Sequence, residues 1–181
     1  MSKTIKIDLN DLSSIDDAIK QVQEYQQKFS EKLRILEAKL ANYGLRIASQ
    51  SFDNAKYAGL NDVNCYVVPL DTGNGFKVVA EGSSVLFIEF GTGILNPEHP
   101  QSAEFGFKHG TYGKRRGANP KGWVYDGDPG NAGFVMKNGK VWTSGNPPSK
   151  SMYQASKGMA KELEHMIKEV FNDWYRKRNI Q

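Results

Sequence analysis

Apolar residues recur at steps of three and four from Ile15 onwards, which predicts a long amphipathic helix. Ser13 or Ser14 is expected to cap its start. Gly44 is a point where a helix can end or kink, but the apolar spacing continues beyond it, so we predict a helical region over residues 13–58. The apolar stripe consists of Ile15, Ile19, Val22, Tyr25 or Gln26, Phe29, Leu33, Leu36, Leu40 and Tyr43.

This stripe has a nearly heptad spacing, which suits packing against another long element. In one interpretation the stripe covers the sheet of its own domain. In the alternative it also packs against a neighbouring subunit, and the sequence leaves both open.

Residues 1–12 are predicted to form an N-terminal arm. Within it, Ile5, Ile7 and Leu9 alternate with polar residues, as is typical of a short strand or an extended segment. Because such an arm can reach a neighbouring copy, these three residues are candidate inter-subunit contacts.

Short apolar runs follow the helical region and predict a small antiparallel sheet over residues 63–93. Turn-forming residues at Asp71–Gly75 and Gly82–Ser84 separate three runs. We therefore expect a meander of three antiparallel strands, of which Val85–Phe90 is the last. Its apolar start is expected to be buried on both faces.

Glycine and proline set apart residues 94–148, which we interpret as a long insertion. Ten of the 18 glycines and six of the 7 prolines lie there. Two apolar runs around Asn138-Gly139 predict a β-hairpin over residues 133–142, because that dipeptide is a strong two-residue turn signal. Trp123–Tyr125 is a candidate additional strand. Further candidate inter-subunit contacts on the hairpin are Phe134, Val135, Val141 and Trp142.

A second amphipathic helix is predicted over residues 149–178, with Ser149 or Ser151 as its cap. Its apolar face comprises Met152, Ala155, Met159, Leu163, Met166, Ile167, Val170 and Trp174. The fold class is therefore α+β. A long N-terminal helix and a C-terminal helix are expected to pack on a small antiparallel sheet, in one domain of 181 residues that carries the insertion and its hairpin.

Composition narrows the classes of protein further. Hydrophobic residues make up 39% and charged residues 24%, so the chain can bury a core, although a thin one. No apolar run approaches the ~20 residues of a membrane span, and the N-terminus lacks the apolar region of a secretory signal. The single cysteine, Cys65, cannot form an internal disulfide, which fits a reducing cytoplasm.

Few residue patterns suggest catalysis. No nucleophile elbow or phosphate-binding loop occurs, and Cys65 in a predicted strand is typical of a small apolar filler. His99 and His109 lie in one region with Glu98 and Glu104, so a metal-dependent hydrolase is a minor hypothesis, although the spacing matches no known metal motif. We expect no catalytic residue, cofactor or bound metal.

One basic cluster, Lys114-Arg115-Arg116, supports an alternative function. The net charge of the chain is only +4, but residues 96–122 contain five Lys or Arg and two Glu, a local balance of +3. Tyr112 and Trp123 lie nearby in the sequence. Basic side chains can neutralise phosphates while aromatic rings stack on bases, so nucleic-acid binding is the alternative hypothesis.

Glu89 is the most unusual residue of the predicted sheet. A carboxylate among apolar residues costs free energy unless it reaches solvent or has a partner. It either points to the opposite face from Ile88 and Phe90 or caps backbone amides at the break formed by Gly91-Thr92-Gly93. We expect a buried, hydrogen-bonded structural role for Glu89, with Gly91 and Thr92 as part of the same motif.

The segment Val85-Leu86-Phe87-Ile88-Glu89-Phe90-Gly91-Thr92-Gly93 resembles a strand motif of the tail-completion, or head–tail joining, family of tailed bacteriophages. Two flanking segments resemble the same family in the same order: Ala55–Val63 is similar to its passage from helix to strand, and Pro147–Ala155 to its entry into the C-terminal helix. The resemblance covers about residues 10–175. The insertion is a departure from the shorter members.

The resemblance implies an α+β fold and a structural, non-catalytic role in the virion neck. Members of this family assemble as rings between the head connector and the tail tube. The expectations for this chain are therefore a homo-oligomeric ring (a hexamer or dodecamer), contacts with head connector or adaptor proteins and with tail tube or tail terminator proteins, and no membrane. The chain is expected in the virion neck, and in the host cytoplasm during assembly. Lys114, Arg115 and Arg116 would face the DNA channel in such a ring.

Overall fold

A computed structural model describes residues 5, 11–93, 98–106, 119 and 121–172. The fold class is α+β, as predicted. The elements in chain order are α1 (Leu12–Asp53), β1 (Asn64–Pro69), β2 (Phe76–Glu81), α2 (Val85–Glu89), β3 (Trp123–Tyr125), β4 (Phe134–Val135), β5 (Val141–Thr143) and α3 (Ser151–Val170).

The N-cap of helix α1 lies two residues before Ser13, the first of its two predicted caps. Asp11 is the N-cap, and its carboxylate accepts the backbone N–H of Ser13 at 2.9 Å. The hydrogen bonds from Ser13 hold the pKa of Asp11 below its ordinary value. The helix runs through Gly44 without a break. The absence of a side chain at Gly44 leaves space for Met159 of α3. Helix α1 ends at Asp53, before the predicted limit of residue 58.

Helix α3 lies antiparallel to the C-terminal half of α1. One core cluster joins Leu36 of α1 to Met166, Val170 and Phe171 at the far end of α3. Lys32 donates to the Val170 carbonyl at 2.8 Å and so satisfies one of the last carbonyls of α3. The described part of α3 begins at Ser151 rather than at 149, with Lys150 in the N-cap position and no hydrogen bond from its side chain. The predicted residues 173–178 lie outside the described residues.

Strands β1 and β2 form the predicted hairpin. They pair antiparallel from Asn64↔Glu81 to Pro69↔Phe76, and the turn between them contains Gly73 at φ +72°. Apolar residues of the hairpin pack over a second core cluster formed by Phe52, Ala55 and Ile88. The hairpin therefore covers the end of α1 that leads into the sheet.

The predicted third strand of this sheet is wrong, because Val85–Glu89 is a short helix. Backbone bonds close it at both ends, from Ile88 N–H to the Ser84 carbonyl at 2.9 Å and from Phe90 N–H to the Leu86 carbonyl at 3.1 Å. Ile88 is buried while Leu86 is exposed, so the segment has one buried side rather than two. The expected three-stranded meander is a two-stranded sheet.

A second sheet lies further along the chain and has the strand order β3-β5-β4. The hairpin predicted around Asn138-Gly139 is confirmed, and Trp123–Tyr125 adds the predicted extra strand. Asn131 ties this sheet to the chain just after α1. Its side chain donates to the Ala55 carbonyl at 2.8 Å and accepts the Tyr57 N–H at 2.8 Å.

Candidate functional site

The Glu89 carboxylate lies buried at the N-terminus of α3. It accepts the backbone N–H of Met152 at 2.9 Å and that of Tyr153 at 3.1 Å. The first amides of a helix lack partners within the helix, and the partial positive charge there favours an anion. Glu89 therefore caps α3 from another element. The expected alternative, a cap on the Gly91–Gly93 break, is wrong, because the amides that Glu89 binds are in α3.

His99 completes the environment of this carboxylate. Its Nε2 lies 3.2 Å from Oε1 of Glu89, and its Nδ1 accepts the Gln101 N–H at 3.1 Å. Because Nδ1 accepts, the proton of a neutral ring is on Nε2, which donates to Glu89. The ring is buried and packs against Phe90 at 4.3 Å between centroids and against Tyr153 at 5.7 Å. Three segments of the chain, α2, the loop that contains His99 and the start of α3, thus meet at the Glu89 carboxylate.

The Gly91-Thr92-Gly93 segment runs against the chain that leads into α3. The N–H of Thr92 donates to the Asn146 carbonyl at 2.9 Å, and both the backbone N–H and the side-chain amide of Asn146 donate to the Thr92 hydroxyl at 2.9 Å. Gly91 has φ +74°, and a Cβ built there would lie 2.6 Å from the Asn146 carbonyl oxygen. Only glycine fits this contact, which explains its place in the motif.

A second carboxylate organises the start of α2. Asp62 accepts the backbone N–H groups of Ser83 at 2.8 Å and Ser84 at 2.9 Å, and it also accepts both of their hydroxyl groups. These hydrogen bonds, led by that from the Ser84 hydroxyl, hold the pKa of Asp62 well below its ordinary value of 3.8. Asp62 therefore fixes the turn that starts α2. It thereby helps to position Glu89, the last residue of α2.

An open groove of about 710 Å³ lies beside the Glu89 cluster. Its walls include Leu86, Phe90, Phe105 and Tyr153, and Lys157 lies at its margin. Glu89 lines it, but both of its oxygens are already engaged by the donors named above. The groove thus has apolar walls and one carboxylate whose hydrogen bonds are made within the chain.

His99 and Cys65, two of the residues weighed for metal or nucleophile chemistry, take structural positions. Among the described residues, no group of three His, Cys, Asp or Glu side chains lies close enough to hold a metal ion. Cys65 is half-buried in β1, and burial raises the pKa of its thiol, which favours the protonated form. Asp128 accepts the Gly130 N–H at 2.7 Å in the turn that follows β3.

The second sheet presents an apolar row to solvent. Val124, Trp142 and Phe134 are direct cross-strand partners on one face of β3, β5 and β4, and they are 37%, 39% and 66% exposed. We call this row the sheet face. Val135, on the neighbouring position of β4, is also exposed. Val141 differs, since it is 1% exposed and packs inside the chain, which removes it from the candidate inter-subunit contacts.

The N-terminal end of α1 carries another exposed apolar patch. Ile19 is 51% and Val22 is 42% exposed, and Ile15 on the same side of the helix is half-buried. We call these three residues the α1 patch. They continue the stripe that packs against α3 and Phe171 from Phe29 onwards, and Ala18 between them is buried while Ile19 and Val22 are exposed.

Several predicted site residues lie outside the described residues. They are Ile7 and Leu9 of the arm, the basic cluster Lys114, Arg115 and Arg116, and His109. Ile5 is described, is half-buried and belongs to no helix or strand. The structure therefore adds no contact to the nucleic-acid alternative, which depends on the basic cluster.

Three polar residues with clear structural roles were missed from the sequence: Asp62, Asn131 and Asn146. Asn146 joins three segments, because its side-chain oxygen also accepts the Ala58 N–H at 2.8 Å. Their only sequence signal is a position near turns rich in glycine, serine and proline. Since each binds backbone far away along the chain, no local pattern identifies its partner.

No protein-family model, curated protein or solved structure matches this chain. None of the helices in the described part of the chain has the length and apolar character needed to cross a membrane.

Proposed function

We propose that this protein is a structural component of the head–tail joint of a long-tailed bacteriophage. Identical copies would form a ring that completes the tail or joins it to the head connector. The observation that carries the proposal is the pair of exposed apolar patches, the α1 patch and the sheet face, on one small chain. Exposed apolar patches mark surfaces that bind other macromolecules.

The position of the two patches supports a ring. They lie on different elements, and a ring of identical copies needs two different surfaces on each copy. A symmetric dimer needs only one self-complementary surface, so two separate patches favour cyclic assembly over simple pairing.

The motif that carries the family resemblance also supports a structural role. Glu89 and Thr92 use their polar atoms to join α2, the chain before α3 and α3 itself. Buried hydrogen bonds between distant segments rigidify the core of a fold, as suits a structural part.

The partners in this proposal are further copies of the chain, a head connector or adaptor protein, and a tail tube or tail terminator protein. The assembled location is the virion neck. DNA would pass through the ring, with Lys114, Arg115 and Arg116 as the candidate residues that face it.

The proposal is tested by inactivating this gene in the phage that encodes it and examining the lysate by electron microscopy. We expect unjoined heads and tails in place of joined particles, and restoration of joined particles by the intact gene supplied in trans. Normal infectious particles from the inactivated phage would overturn the proposal.

A further inference from the structure

We infer that copies of this chain join head to tail, with the α1 patch of one copy packed on the sheet face of the next. This inference rests on the proposed function for its setting, a closed ring of identical subunits. It names the two surfaces that meet and excludes the simpler pairing of like surfaces.

The two patches cannot cover each other within one copy. Asn131 fixes the second sheet to residues 55–57, just beyond the C-terminal end of α1. Val22 lies thirty residues before Phe52 on the same unbroken helix, which is about 45 Å at the rise of an α-helix. The α1 patch and the sheet face are therefore at opposite ends of the molecule, and only another copy brings them together.

The shapes of the two patches match. The sheet face is a single row of side chains across three neighbouring strands, so it is about 10 Å long. Seven residues of an α-helix, the distance from Ile15 to Val22, also span about 10 Å, so the α1 patch matches the length of this row. Ile15, Ile19 and Val22 follow each other at steps of four and three and thus present one narrow edge to it.

The charges around the two patches are complementary. Residues 12–27 contain Asp16, Asp17 and Glu24 against the single Lys20, a balance of −2. The second sheet and its turns, residues 121–143, contain Lys121, Lys137 and Lys140 against Asp126 and Asp128, a balance of +1, and Lys140 pairs with Asp126 at 3.3 Å. The negative surroundings of the α1 patch therefore favour the positive sheet over a second α1 patch.

The test uses two variants, each of which blocks one surface. The double variant Ile19→Lys, Val22→Lys blocks the α1 patch, and Phe134→Asp blocks the sheet face. All three side chains are exposed, so both variants should keep the wild-type circular dichroism spectrum. Leu60→Asp is the matched control, since Leu60 is an exposed apolar residue outside both patches.

Molar mass is measured by sedimentation equilibrium up to about 1 mM, because a contact this small is expected to be weak. We expect the wild type and Leu60→Asp to increase in mass with concentration. Each blocked variant alone should remain a monomer. An equal mixture of the two should form a one-to-one dimer and nothing larger, because each copy supplies the surface that the other lacks.

A monomeric mixture, assembly of either blocked variant to the wild-type mass, or a wild type that stays monomeric would overturn the inference. If the chain's own residues 173–181 cover the α1 patch, the lysine variant will lose thermal stability and the mixture will stay monomeric, which also overturns it. The proposed function stands or fails separately, through the particles made by the inactivated phage.

Discussion

At the scale of single residues, Glu89 shows how far a sequence argument reaches. A carboxylate between Ile88 and Phe90 is costly unless it reaches solvent or has a partner, so the sequence favoured a buried, hydrogen-bonded role without requiring it. The partners did not follow, because the Met152 and Tyr153 amides lie more than sixty residues along the chain. The buried role of His99 beside Glu89 did not follow either, because His99 lies in a loop rich in proline and charged residues.

Replacing Glu89 should destabilise the fold strongly. In Glu89→Ala the amides of Met152 and Tyr153 and the Nε2–H of His99 lose their acceptor in a buried site, so we expect a loss of about 2–4 kcal/mol in the free energy of unfolding. Glu89→Gln keeps one acceptor oxygen and should lose less. Glu24→Gln, on the exposed face of α1, is the control and should change little. Urea unfolding of Glu89→Ala within about 0.5 kcal/mol of the wild type would contradict the capping role.

Asp62 should make stability depend on pH in the acid range. Its pKa is lower in the folded chain than its ordinary value of 3.8, so its contribution is present above pH 3.8 and disappears as the pH falls through the folded pKa. We expect Asp62→Asn to lower the melting temperature at pH 6, and the difference from the wild type to shrink below pH 3.8. Equal melting temperatures at pH 6 would show that the hydrogen bonds of Asp62 add nothing.

At the scale of elements, the wrong strand at Val85–Glu89 has a clear physical cause. Short apolar runs fit a buried strand and a buried helical turn equally well, so periodicity cannot separate them. Asp62 decides the outcome, because it binds the Ser83 and Ser84 amides and starts a helix where the sequence shows only a turn. By contrast, the Asn138-Gly139 hairpin was predictable, since its turn signal is local.

The junction between α2 and the chain before α3 should tolerate no side chain at Gly91. Gly91→Ala meets the Asn146 carbonyl oxygen and the Pro148 nitrogen and also strains a positive φ, so we expect a loss of at least about 3 kcal/mol. Gly73→Ala is the matched control, with φ +72° and open space around it, and should lose only about 1 kcal/mol. If Gly91→Ala and Gly73→Ala lose the same free energy of unfolding in chemical denaturation, the close contact at Gly91 contributes nothing to stability.

At the scale of the whole molecule, the two long helices and the α+β class followed from the sequence because their apolar repeats are long. The sequence left open whether the α1 stripe covers its own domain or a neighbour. The structure divides the stripe, since α3 and Phe171 pack on it from Phe29 onwards while Ile19 and Val22 are exposed. A periodic pattern gives the apolar side of a helix but cannot say how much of it a shorter partner helix will reach.

This division should appear in the hydrogen exchange of α1. In monomeric Phe134→Asp, we expect amides of residues 15–25 to exchange at least ~10-fold faster than those of residues 40–50, because only the latter lie under α3. In assembled wild type, residues 15–25 should become protected while residues 40–50 change little. Uniform exchange along α1 in the monomer would contradict this gradient.

The unbroken course of α1 has a mechanical consequence. Helix α1 is packed in the core at Leu36, and Ile15 lies about 30 Å away along it. A small change in the angle of the helix at Leu36 therefore becomes a large displacement at Ile15. A tilt of about 5° at Leu36 moves Ile15 by about 3 Å, which is close to the spacing of successive residues along a β-strand. Identical subunits could thereby adjust to rings of slightly different circumference without altering the core around Phe52 and Ile88.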